Sequence, residues 1–291
     1  MMPDRRKITF AQAEGVEPLP KPLKLKEISQ ELRALLWGLI YDSMEEDCDR
    51  RTGHIVGAWY AIVRHKHVFF DHKMLDDFSR NFDSNKNVVR SVIEHGDYVQ
   101  VFDLLQYVLR HQSCPDGLAE GISAVLEQAR AAYRLVDGDT IVPAVTEEEA
   151  DAVQRAFADL LAGELHGARS HLRKASDAIN SGHYADSVRE SIHAVESVAR
   201  SLDPKAGKTL EPALAALESK SVLHPALKQG FSKIYGYTND EQGIRHALID
   251  DAAADVDIHD AVFMLGACAS FITYLIGNAR DAGIDLMSNG S

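Results

Sequence analysis

Along most of this chain, apolar residues return every three to four positions, which is the spacing of one buried face of an α-helix. Ile28, Leu32, Leu35 and Leu39 make the first series, with Glu27, Arg33 and other polar residues between them, and predict a helix to about Met44. The charged run from Glu45 to Arg51 is expected to close it as a loop. Gly57 to Val63 predicts a short buried helix. Helical series then cover 85–95, 97–111 and 116–134, the last through Ile122, Val125, Leu126, Ala129 and Tyr133. After that the period changes. Asp137-Gly138 lies between two short apolar runs, a hairpin signal because both central positions of the tight turn take positive φ. Pro143, which lacks a backbone donor, keeps the second strand at an edge.

Thr146 and Glu149 form a capping box, so a new helix opens there. Helices are predicted at 147–161, 164–180, 184–202, 209–219, 224–236 and 258–280, an up-down bundle. In 184–202, Val188, Ile192, Val195, Ala199 and Leu202 make one apolar stripe, and Arg189, His193, Glu196 and Arg200 run beside it. The last helix is apolar almost all round (Val262, Phe263, Leu265, Phe271, Ile272, Leu275, Ile276) and is expected at the centre, or partly at a subunit interface. The predicted class is mostly α, two helical domains with a short β-hairpin near their boundary. Residues 1–25 read as an extended arm, with Ile8-Thr9-Phe10 a short edge strand and Pro18, Pro20 and Pro22 stiffening the rest of the arm. Residues 26–145 form the first domain and 146–291 the second.

The 291 residues leave room for two cores, and 45% hydrophobic with 26% charged content is that of a globular protein. The net charge of −13 opposes nucleic-acid binding over the whole surface and leaves room only for a local basic cleft. Cys48, Cys114 and Cys268 are far apart with no C-x-x-C, as expected of free thiols in a reducing cytoplasm. The N-terminus carries no apolar signal core, and no apolar run is expected to span a membrane, so no membrane partner is assigned. The sequence holds no P-loop, dinucleotide glycine fingerprint, G-x-S-x-G or H-E-x-x-H.

Polar chemistry concentrates between Tyr235 and Leu248. Asn239 or Asp240 can cap a short helix there, and Arg245-His246 come after it. An arginine holds a phosphate or carboxylate through paired hydrogen bonds, and a histidine moves protons near neutral pH. The same pair can instead staple a helix junction. The row Arg189, His193, Glu196, Arg200 is likewise either an anion site or a self-paired solvated strip. Glu196 lies next to the core stripe and needs a cationic partner, for which Arg245 is the candidate. The acidic stretch Asp240–Asp260 lacks calcium-loop spacing and reads as a linker and helix start. Arg64–His72 reads as a basic loop, since His65 and His67 share a face only in a strand. No metal and no cofactor are assigned to any of these.

Two parts resemble known families. Ile8–Pro20, with Glu31-Leu-Arg-Ala-Leu-Leu-Trp-Gly-Leu-Ile40 after it, resembles the N-terminal domains of AbiJ-type abortive-infection proteins over residues 7–145. Gly182–Arg200 resembles the long helix of the HEPN superfamily, with a G-x-Y start and an inward Glu196. Thr238–Leu248 falls where that superfamily carries an arginine several places ahead of a histidine. The resemblance implies a dimeric, metal-independent RNase: the arginine holds phosphate and the histidine handles the 2′-hydroxyl proton. Here the places ahead of His246 hold Asn239, Asp240 and Glu241, and the arginine is next to it at Arg245. Elsewhere only Arg90 and His95 fit the spacing. The expectation is a phage-defence or toxin-type protein acting on RNA as a homodimer through its C-terminal bundle. His246, Arg245 and Glu196 would act at the reaction centre, and Arg189, His193, Asn239 and Asp240 would bind substrate. The alternative is a non-catalytic interaction or ligand-sensing module.

Overall fold

Local signals carried by the sequence fix most element boundaries in the computed structural model, which describes residues 10–18, 21–144, 146–204, 210–220, 222–237 and 256–284. The fold is mostly α, 69% helical, with twelve α-helices and two two-stranded sheets among the described residues. It divides into two compact units, Met1–Asp139 and Thr140–Ser291.

In the first unit, Phe10 does not enter a strand. It begins the single helical turn α1 (Phe10–Ala13), whose backbone bonds are local, as in Glu14 N–H to Phe10 O at 3.0 Å. Ile8 and Thr9 lie outside the described residues. The arm's end is tied to its own unit: Leu23 N–H donates to Arg130 O at 2.9 Å and Lys26 N–H to Tyr133 Oη at 3.1 Å. Helix α2 (Gln30–Glu46) starts at Ser29, whose hydroxyl accepts from Leu32 N at 3.1 Å. Its buried line is Leu32, Leu36, Ile40 and Met44, and Leu35 and Leu39 flank it half-buried. The charges at Glu45 and Glu46 do not end this helix. Strands β1 (Cys48–Asp49) and β2 (His54–Ile55) then pair antiparallel. Helix α3 (Gly57–His65) starts on Asp47, whose carboxylate accepts from Trp59 N at 2.8 Å.

Helices α4 (Phe82–His95), α5 (Tyr98–Leu109) and α6 (Leu118–Gln128) complete the unit with β3 (Tyr133–Val136). The helix predicted over 116–134 therefore stops early. Arg130 turns left-handed at φ 53°, Arg130 N bonds Glu127 O at 3.0 Å and Ala131 N bonds Leu126 O at 2.9 Å. That pair of bonds satisfies the last carbonyls and sends Tyr133 into a strand. The predicted hairpin turn is present: Asp137 and Gly138 have φ of 59° and 75°, and Asp139 N donates to Val136 O at 3.3 Å. β3 and β4 (Thr140–Pro143) form the second sheet.

The second unit holds α7 (Glu147–Ala162), α8 (His166–Asn180), α9 (Tyr184–Leu202), α10 (Leu210–Ser219), α11 (Pro225–Tyr237) and α12 (Ile258–Asp281). The Thr146–Glu149 capping box forms in both directions, at 3.1 and 3.3 Å. Helix α12 packs on α7, α8 and α9 and is the core of the unit. It also corrects the expectation about membrane spans. By length and composition α12 qualifies, with an 18-residue window of mean hydropathy 1.6, and 56% of that window is buried inside the fold. Its apolar surface is consumed by neighbouring helices, with Phe263 the exception at 61% exposed. The end of the acidic stretch is a helix start, as expected. Asp257 accepts from His259 N at 2.7 Å and Asp260 N at 3.1 Å, and the backbone bond from Asp260 first of all holds its carboxyl below the usual value.

Candidate functional site

Four residues assigned from the sequence, Asn239, Asp240, Arg245 and His246, lie outside the described residues. The others lie on α9, whose apolar stripe from Val188 to Leu202 is buried and fixes the rotation of the helix. The polar row beside that stripe forms no ion pair along itself among the described residues. The Arg189 guanidinium is taken by Asp186, one turn back. Arg200 Nε donates to the backbone oxygen of Glu196 at 3.3 Å and leaves the carboxylate alone. The Glu196 carboxylate is half-buried and has no ion-pair partner among the described residues.

His193 turns toward a second helix instead. His171 on α8 places Nδ1 2.6 Å from Glu190 Oε2, and His193 Nδ1 lies 3.9 Å from Glu190 Oε1. The two imidazoles meet edge to face with centroids 5.4 Å apart. Two rings thus lean on the two oxygens of one carboxylate. The antiparallel α8–α9 hairpin sets this register, and its close approach is marked by Gly167, where an added Cβ would lie 3.1 Å from Ser197 Oγ. Glu190 and His193 share a face because they are three residues apart. That spacing was legible in the sequence, whereas the partnership of His171 needed the hairpin.

The first unit holds a different feature. The segment expected as a basic loop continues helically: after α3, residues Lys66–Phe70 form a π-helical turn. Such widened turns occur often at functional sites because they displace side chains from the helical register. Beside it lies a cavity of about 640 Å³, lined by His65, Phe70, Asp103, Tyr107, Arg110 and His111 among others, which is ample for a small ligand. His65 Nδ1 and Tyr107 Oη are 2.5 Å apart, and the His65 and His111 rings meet at 5.2 Å. Burial, then the charge of Asp71, pushes the Tyr107 hydroxyl up to about 12. Burial, then the neighbouring His65, lowers the His111 imidazole. Lys66, buried, is neutralised by Asp71 at 2.5 Å. Tyr107, Arg110 and His111 went unremarked in the sequence because a helix end rich in polar residues looks like any solvated terminus.

The chain matches the family model described as AbiJ N-terminal domain 4 over residues 9–159, just over half of its length. No curated protein and no solved structure matches.

Proposed function

The chain belongs to the AbiJ N-terminal domain 4 family, which points to abortive infection, and from that premise we propose a cytoplasmic phage-defence protein whose helical C-terminal unit acts on RNA. The family match carries the defence role. The observation that supports RNA chemistry is the half-buried Glu196 carboxylate, free of ion pairs among the described residues, on the same helix as Arg189. In this reading His246 is the general base toward a 2′-hydroxyl, Arg245 contacts phosphate, Arg189 exchanges Asp186 for phosphate, and Glu196 orients the Arg245 guanidinium. On the same reading the unit is a HEPN-like bundle, as the resemblance of Gly182–Arg200 implies, and two copies join through it, with the exposed Phe263 as a seed for that interface. The test is cleavage of RNA by the purified full chain. Wild-type activity that vanishes in His246→Ala supports the reading, and an equal background in both overturns it.

The cavity of about 640 Å³ in the first unit favours a second reading, in which the chain senses a small ligand and is not itself a nuclease. An inactive chain whose thermal midpoint rises with a metabolite fraction, and no longer does so in Tyr107→Phe, supports this second reading.

A further inference from the structure

We propose that His171, Glu190 and His193 form a binding site for a divalent transition-metal ion of the zinc class. One ligand atom from each residue lies within 4.8 Å of the other two. Three ligands held about 2.1 Å from a common ion lie roughly 3 to 3.5 Å from one another. The two ring nitrogens lie 2.6 and 3.9 Å from the two oxygens of Glu190, on either side of that range, so side-chain rotations of this size would draw the three groups around an ion.

The surroundings suit a cation. Glu190 supplies one negative charge, and the nearest arginine in sequence, Arg189, is neutralised by Asp186. The side chains of His171 and Glu190 are 27% and 26% exposed, enough for an ion to enter and little enough to hold the rings in place. His193 is 46% exposed and faces solvent. Three protein ligands leave a fourth position open on that side for water or an anionic group.

Ligand chemistry decides the metal. Two imidazoles and one carboxylate favour zinc, cobalt, nickel or ferrous iron over magnesium and calcium, which prefer oxygen alone. Binding requires neutral imidazoles. The ring nitrogens facing Glu190 bind the ion through their lone pairs, so the one proton of each neutral ring sits on the other nitrogen. The site shares His193 with the residues assigned to RNA binding, whereas His171 and Glu190 have no part in that reading, and metal binding does not depend on it.

The experiment is a titration of the chelator-stripped full chain with Co²⁺ or Zn²⁺ alone, without RNA. Calorimetry gives stoichiometry, the cobalt absorption spectrum gives geometry, and thermal melts give stabilisation. The expected result is one ion per chain with a low-coordinate cobalt spectrum and a raised melting midpoint, and no response to Mg²⁺. Affinity falls by roughly tenfold or more in Glu190→Gln and in His193→Ala. Glu190→Gln keeps the side-chain shape, and His193 is exposed, so both variants are expected to keep the wild-type circular dichroism. No binding, binding that both folded variants retain, or equal binding of Mg²⁺ overturns the proposal.

Discussion

Arg33 donates to Gly96 O at 2.8 Å, and its other terminal nitrogen donates to Ile93 O at 2.5 Å, so one guanidinium caps the C-terminal end of α4 from the side of α2. This explains the Leu-Arg-Ala-Leu-Leu-Trp pattern in physical terms. Leu32 and Leu36 are buried, and the arginine between them satisfies carbonyls that the end of a helix leaves without partners. Arg33→Ala is expected to lower the stability of the first unit by about 1.5–3 kcal/mol, the usual range for hydrogen bonds to a charged group. Arg33→Lys should not restore it, because an ammonium cannot make both bonds in the same fork. Denaturant melts of the two variants check this.

The His65–Tyr107–His111 group predicts a pH profile. His111 is lowered by burial and then by His65, so its neutral form is favoured in the fold. Its contribution is fully present above the ordinary histidine value and is lost as pH falls from there through the lowered one. Tyr107 is raised to about 12, so its contribution is present below the ordinary value of 10.0 and is lost between there and 12. Melting midpoints should therefore fall on both the acid and the alkaline side. The His111→Gln variant should flatten the acid limb, and Tyr107→Phe the alkaline one. Phenolate absorbance should show a late-titrating tyrosine in the wild type that Tyr107→Phe removes.

Gly57 begins α3 at φ 58°, and a Cβ there would strike the Asp47 carboxylate that caps the helix through Trp59 N. Gly57→Ala therefore combines a left-handed backbone with the loss of that cap. A destabilisation of about 1–3 kcal/mol is expected. Trp59 is fully buried and its Nε1 donates to Ser43 Oγ at 2.9 Å, so tryptophan fluorescence reports the change directly.

The three thiols should react in two classes. Cys268 is buried in α12, and burial pushes its thiol far up, so it stays unreactive until the unit unfolds. Cys48 and Cys114 are half-buried, and burial, then the charges of Asp116 and Glu120, raises Cys114. A thiol reagent under native conditions should modify Cys48 first, Cys114 more slowly, and Cys268 only in denaturant. Rapid labelling of all three would contradict this packing of α12.

Local physics was legible in the chain. Helical periodicity, the Thr146 cap and the Asp137-Gly138 turn act within a few residues of themselves, and each sits where the sequence put it. Tertiary structure decided the rest. The stop of α6 needed Arg130 to turn left-handed, a conformation for which arginine has no intrinsic preference. By length and composition α12 would also pass for a membrane span, and its packing against α7, α8 and α9 supports the central position expected from the sequence. The meeting of His171 with Glu190 across 19 positions depends on the register of two helices, and the cavity at His65 and Tyr107 depends on contacts 42 positions apart. Periodicity tells which face of a helix is buried. Which side chain it meets is set by the shapes of both surfaces at once, and no single segment encodes that.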